Sequence, residues 1–304
     1  MSDGGQPPHT PARLTRSEWF AVVKRTFREF LDDGCMGLSQ QIAYSSLLAF
    51  FPAVVALVGL LDVINAYDSL QRFLDPVAPK AVTKLISSFK HDSGGRGSIV
   101  ALVVGTAGAV WAASGAMGSI VSAVNKAYDR IETRPFWKQR IISIVLVVAS
   151  AIVTVGMLLL IVVGGTIGDA IARHVHLGSA FTWVWNFVRW PLAFVVILLF
   201  YALIYYLAPN LEQRNWRWIS PGSLVGGIMW LALSGLFALY TAFSSSYTKT
   251  YGTLAGGIVL LLWLNYSAWS ILFGAELNSE LDRQADIDAA GGPHAGLVRP
   301  VRRQ

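Results

Sequence analysis

Metal or nucleophilic chemistry would have to start from histidine, cysteine and carboxylate side chains, and this chain carries few of them. It has five histidines (His9, His91, His174, His176 and His294) and one cysteine, Cys35. His174 and His176, with Asp169 nearby, form an isolated His-x-His pair. A catalytic zinc takes three protein ligands and a structural zinc four, so the pair alone is not a site. The patterns H-E-x-x-H, G-x-S-x-G and G-x-x-x-x-G-K-[ST] are all absent. Zinc hydrolysis, acyl transfer at a nucleophile elbow and ATP use through a P-loop therefore have no residues to carry them. A single cysteine also excludes an intrachain disulfide and a cysteine metal cluster. The expectation is a protein that is not an enzyme and has no cofactor or metal.

The remaining chemistry is polar side chains set in apolar runs. They are Gln40, Gln41, Tyr44, Ser45 and Ser46, then Ser114, then Tyr201, Tyr205 and Tyr206, then Ser234 and Tyr240, and last Asn265, Tyr266 and Ser267. Such groups need partners in hydrocarbon and are expected to face inward. Asn265 stands out because an unpaired amide near mid-membrane is costly. It serves either as glue between helices or as a substrate contact.

The elements that hold these residues follow from charge. Six stretches contain no Asp, Glu, Lys or Arg: 34–61, 97–125, 141–168, 190–211, 218–248 and 250–275. A bilayer core of about 30 Å needs about 20 apolar residues in helical form, and every run reaches that length. The chain is 54% hydrophobic and 14% charged, against about 25% charged in soluble domains. The fold class is all-α, a polytopic bundle of six transmembrane helices over about 36–61, 98–124, 141–168, 190–209, 221–243 and 253–275. Residues 17–285 form one domain, between disordered segments 1–16 and 286–304. Met1–Arg16 lacks the apolar run of a cleaved signal, so the first span is expected to act as the insertion signal. No acidic or basic residue lies near the centre of a run, which argues against a proton relay.

Sixteen Lys and Arg fall on the side of the N-terminus, the 126–140 loop, Arg214, Arg217 and the tail, and eight on the other side. The positive-inside rule then puts both termini in the cytoplasm. RNA could not reach His174 and His176 in that topology, and the net charge of +6 is read as basic loops rather than nucleic-acid binding. The expected partners are membrane lipids, with no nucleic acid.

Two segments read as amphipathic. In 17–31, Phe20, Val23, Phe27, Phe30 and Leu31 share a face, with Lys24, Arg25 and Arg28 elsewhere. This helix either lies on the inner membrane surface or packs under the bundle. In the first external loop, Val82, Leu85, Ile86 and Phe89 have helical spacing and form a short cap. Pro52 inside span one removes a backbone bond and is expected to kink it. Glycines four apart (Gly164 and Gly168, Gly222 and Gly226, Gly252 and Gly256) suit close packing within the bundle, with homodimerisation as the alternative. Tryptophans near span ends, among them Trp137, Trp183, Trp185 and Trp190, suit interface belts.

Several patterns then fall into one order. They are Gln41-Ile42-Ala43-Tyr44 with Phe51-Pro52, Asn125-Lys126-Ala127-Tyr128, and Arg134-Pro135-Phe136-Trp137. Tyr206-Leu207-Ala208-Pro209 and Trp218-Ile219-Ser220-Pro221-Gly222 follow, then Tyr251-Gly252-Thr253, Trp263 and Gly274-Ala275-Glu276-Leu277-Asn278. The set resembles the BrkB/YihY family of bacterial inner-membrane proteins over about residues 15–285. The resemblance implies a six-helix inner-membrane protein linked to envelope integrity and serum resistance, with export of a lipid or other anionic amphiphile as the expected activity. The alternative is a non-transporting scaffold, and the family's older name, ribonuclease BN, is a misassignment. The functional weight is expected on Tyr44, Pro52, Asn125, Arg134, Pro135, Trp137, Pro209, Tyr251, Gly252, Trp263, Asn265, Glu276 and Asn278. Arg130, Arg134, Lys138 and Arg140 form a basic loop able to meet phosphate headgroups. Glu276 and Glu280 are expected to pair with Arg134, Lys138 or Arg140.

Overall fold

The first helix is started by its own sequence. Thr15 caps it: the Glu18 amide donates to the Thr15 hydroxyl while the Thr15 amide donates to the Glu18 carboxylate at 2.6 Å. This capping box satisfies two otherwise orphaned donors. The two backbone–carboxylate and hydroxyl–carboxylate bonds from Thr15 also hold the Glu18 carboxyl below its ordinary range. The computed structural model describes residues 15–63, 96–158, 160, 178–211, 219–243 and 254–289. The elements are α1 (Arg16–Asp32), α2 (Cys35–Val63), α3 (Arg96–Ala127), α4 (Phe136–Leu158), α5 (Gly178–Leu207), α6 (Pro221–Phe243) and α7 (Leu254–Ala289). No strand occurs among the described residues.

Five stretches are long and apolar enough to cross a membrane: Val103–Ala127, Phe136–Met157, Trp183–Leu207, Pro221–Tyr240 and Gly256–Gln284. The all-α, polytopic membrane architecture follows. α2 has 29 residues and coincides with the first expected span. It runs through Pro52 as one helix, a position tolerated in long membrane helices because neighbours satisfy the freed carbonyl. Two helices overrun the expected limits. α5 begins at Gly178 rather than 190 and takes in Trp183, Trp185, Arg189 and Pro191. α7 continues past 275 to Ala289, so the expected disordered tail begins inside a helix. A charged last stretch can stay helical where a carboxylate finds partners, as Glu280 does here. The external cap at 82–89, Gly164, Gly168, Tyr251, Gly252 and all five histidines lie outside the described residues.

α2 and α3 form the closest pair, and α7 packs on α6, α2, α1 and α3. Gly34, at φ +66°, makes the sharp turn that lets α2 start directly beneath α1, a conformation that costs glycine little. The same end of the α2–α3 pair is closed, on the α3 side, by a Schellman motif. The amides of Asp129 and Arg130 donate to the carbonyls of Lys126 and Asn125, with Asp129 at φ 51°. The Lys126 ammonium reaches the Asp33 carbonyl and fixes the α1–α2 turn to the end of α3. The buried core is concentrated at this α1 end, around Cys35, Ile42, Val124, Leu146, Ile204 and Leu272.

α1 has two apolar faces rather than one. Val22 and its neighbour Trp19 pack on Leu277 and Leu281 of α7, and Phe30 meets Phe273 with ring centroids 5.9 Å apart. Phe20, Val23, Phe27 and Leu31 point away from the protein, Phe20 with 73% of its surface exposed. Phe30 therefore leaves the face assigned to it from the sequence, and the helix both packs under the bundle and presents an outer apolar stripe. Gln40, Gln41 and Tyr44, expected inward, face outward instead. They lie within the first three turns of α2, near its α1 end, and polar tips near a span end can reach headgroups or water.

Candidate functional site

The motif residues converge on the α1 end of the bundle in three polar clusters. The first is built by the loop after α3. Glu132 accepts from Arg134 Nε at 2.7 Å and from Arg134 Nη2 at 2.5 Å, and it also accepts the Arg134 amide at 3.0 Å. Asn125 Nδ2 donates to the same carboxylate at 2.7 Å. Burial alone would raise the Glu132 pKa, but the bonds from Arg134, its charge and the Asn125 amide outweigh it and hold the carboxyl below its ordinary value. The remaining Arg134 donors cap α5, reaching the carbonyls of Leu207 at 3.2 Å and Ala208 at 2.8 Å. A cation at a helix C-terminus satisfies orphan carbonyls and favours the dipole. Asn125 Oδ1 accepts the Asn210 amide at 2.7 Å, and Asn210 Nδ2 returns to Ile131 O and to Thr133. Pro209 lies fully buried between them, and the Pro135 carbonyl accepts from Lys138 and Gln139 at the start of α4. Asn125, Arg134, Pro135 and Pro209, far apart in sequence, thus staple the α3–α4 loop to the end of α5.

The second cluster joins α6 to α7. Asn278 Oδ1 accepts the Gly222 amide at 2.9 Å, and its Nδ2 donates to Ser220 Oγ at 3.0 Å. Ser220 caps α6 through the Ser223 amide at 3.0 Å, with Pro221 at the first helical position. The two backbones touch here. A Cβ on Gly222 would collide with the Gly274 carbonyl and stand 2.6 Å from Asn278, and one on Gly274 would stand 2.5 Å from the Gly222 carbonyl. Gly226 is closed the same way, 2.8 Å from the Ser270 carbonyl. Gly222 and Gly226 are thereby used inside the bundle, not in a dimer contact. Tyr205 and Tyr201 lie alongside, donating to Ile271 O at 2.8 Å and meeting Ser270 Oγ at 2.6 Å.

The third cluster ties α7 to α1. Glu280 accepts from Arg25 Nε at 2.8 Å and Arg283 at 3.1 Å, and Arg25 also donates to Gln284 at 2.7 Å. Glu276, fully buried, accepts from the Cys35 thiol at 3.4 Å. The expected pairing of Glu276 and Glu280 with Arg134, Lys138 or Arg140 is wrong. α1 folds back beneath α7 and supplies Arg25 first, while Arg134 is consumed by Glu132 two residues away. Arg134 is therefore not a free headgroup ligand either.

The other expected residues stand apart. Tyr44 is exposed and Pro52 half-buried on α2. Trp137 is exposed, with Lys138 Nζ 5.4 Å from a ring centroid. Trp263 donates to Ser234 at 3.2 Å, mirrored by Trp230 to Ser267 at 3.0 Å, so α6 and α7 are stitched by crossed tryptophans. Asn265 Oδ1 and Trp269 Nε1 are buried without hydrogen-bond partners. Glu132 and Asn210 were not singled out from the sequence, and Ser220, Gly274, Tyr205 and Arg25 were named in it but not among the residues expected to carry function. Glu132 could have been, since a carboxylate two residues before a motif arginine is its nearest partner. Among the described residues no group of three His, Cys, Asp or Glu could hold a metal ion. The arrangement orders helix ends.

The chain is 32% identical over 268 residues to the ribonuclease-like protein YfkH of Bacillus subtilis, covering 88% of this chain and 97% of that relative. It is 25% identical to a UPF0761 membrane protein of Aromatoleum aromaticum and 24% identical to one of Xanthomonas campestris pv. campestris, covering 83% and 84% of this chain. It spans only 61% and 59% of the length of those two relatives. No solved structure matches. A family model described as virulence factor BrkB matches residues 26–297, and the chain belongs to that family of membrane proteins.

Proposed function

We propose that this is a bacterial inner-membrane protein, with both termini in the cytoplasm, that moves a lipid or other anionic amphiphile and so contributes to envelope integrity or serum resistance. The observation that carries this reading is the two-faced helix α1. One face is docked under α7 through Val22 and Phe30, and the other presents Phe20, Val23, Phe27 and Leu31 outward with Lys24 and Arg28 exposed beside them. An apolar stripe flanked by lysine and arginine is the pattern of a helix lying in an anionic leaflet. Because the inner face is tied to α7 by Arg25–Glu280, lipid contact on α1 is mechanically linked to the bundle. The ribonuclease-like part of one relative's name is not carried over. His174 and His176 stand as a pair without further ligands in the sequence and belong to the outer side in this topology. The test is reconstitution of the full chain in liposomes with labelled anionic and zwitterionic lipids. Anionic lipid exchanged between leaflets faster than in protein-free vesicles is the expected result. Rates equal to protein-free vesicles for every lipid tried would refute the transport reading.

A further inference from the structure

One charge of the expected inner loop does not stay in the loop. Arg140 lies in the second turn of α4, and its guanidinium stacks on the Trp111 ring at 3.9 Å from a ring centroid. Its Nη2 donates to the Trp111 carbonyl at 3.3 Å. Trp111 is inside the candidate span Val103–Ala127. It lies fourteen residues before Asn125, about 21 Å along the helix axis at about 1.5 Å per residue. Half the hydrocarbon thickness is about 15 Å, so, counted from that end, the cation stands near the middle of the apolar layer even when α3 is tilted. The runs free of charged residues hide this, because the arginine enters the membrane through its side chain from a position just outside a run.

The charge is not compensated by the protein. No carboxylate among the described residues pairs with Arg140, and its Nε is buried without a partner. The face around it is open to lipid. Trp111 has 66% of its surface exposed, and Gly108 and Gly115, three residues before and four after it on the same side of α3, have nothing within reach of an added Cβ. Ionisable groups at this depth are costly and mark functional positions, and a guanidinium presents a planar fork that matches phosphate oxygens.

We propose that Arg140 and Trp111 form a binding site for the phosphate of an anionic phospholipid. The acyl chains lie along the glycine-lined surface beside Trp111, and the phosphate accepts from the Arg140 donors that the Trp111 carbonyl leaves free. A headgroup held there is drawn below its normal plane. The site deepens the transport reading and rests on it only for the onward movement of the lipid.

The test uses the full chain in nanodiscs of unlabelled zwitterionic lipid doped with brominated phosphatidylglycerol or brominated phosphatidylcholine. Trp111 quenching is the difference between the native protein and Trp111→Phe. The expected result is half-maximal quenching at about a tenfold lower fraction of the anionic lipid, the size of one or two charge-assisted bonds. Arg140→Gln should lose the preference and Arg302→Gln keep it. Equal quenching by both headgroups would mean ordinary surrounding lipid only and would overturn the site, as would a preference unchanged in Arg140→Gln. Should Arg140→Gln fail to fold, the headgroup comparison in the native protein decides alone. A headgroup preference without lipid flux would sink the transport reading and leave the site standing.

Discussion

Replacing Gly274 by alanine tests the contact on which the α6–α7 interface is built. The new Cβ would stand 2.5 Å from the Gly222 carbonyl, 3.1 Å from the Tyr205 ring and closer still to the Tyr205 hydroxyl oxygen. An ordinary carbon–oxygen contact is near 3.4 Å, so the backbones must part by about 1 Å, and neither is a flexible side chain that can swing away. Overpacking of this kind costs about 2 kcal/mol. Tyr205 also loses its 2.8 Å bond to Ile271 O, about 1 kcal/mol. Alanine recovers about 1 kcal/mol in helix propensity over glycine. The net loss is about 2 kcal/mol. The matched control is Gly115→Ala on α3, where a Cβ meets open space and only the propensity gain remains. In one detergent, thermal unfolding followed by intrinsic fluorescence should place Gly274→Ala several degrees below the native protein and Gly115→Ala at or above it. Equal midpoints for the two variants would refute the claim that the Gly222–Gly274 crossing is closed.

Arg134→Ala should abolish activity or folding where Arg302→Ala does not. It strands Glu132 and two α5 carbonyls, a loss of about 3 kcal/mol for a largely buried pair, and complementation with equal expression would reveal equal behaviour if the staple is unimportant. Glu132 also sets a pH dependence. Its folded pKa is below the ordinary 4.5, so its stabilisation is complete above that value and lost as pH falls through the folded pKa. Acid unfolding below pH 4.5 should therefore be shallower in Glu132→Gln, and superimposable acid limbs would contradict this. Phe20→Ser with Phe27→Ser should leave the unfolding midpoint near native but lower lipid flux, whereas Val22→Asp on the packed face should prevent accumulation of folded protein. A midpoint loss as large for the outer pair as for Val22→Asp would remove α1 from the lipid surface.

The helical, membrane-spanning nature of the fold was legible in the chain because lipid imposes a one-dimensional rule. A helix that meets hydrocarbon must be free of charge for about 20 residues, and local composition records that directly. The motif residues were legible as well, but their roles were not. Asn125 and Arg134 look like surface groups of a basic loop until the α3–α4 turn brings Arg134 against the carbonyls of Leu207 and Ala208 and Asn125 against the Asn210 amide. Glu280 looks like a partner for that loop until α1 folds under α7 and Arg25 arrives first. The face of α1 was half right because a helix wheel shows that apolar residues are present without saying which of two stripes meets protein. Likewise, charge-free runs describe where backbone crosses the membrane but not where a long side chain carries its charge, and Arg140 on Trp111 is the case in point. Pairings between positions more than seventy residues apart depend on which helices neighbour each other and at what depth. That is set by glycine contacts and caps acting together in three dimensions, so only the tertiary structure decided them.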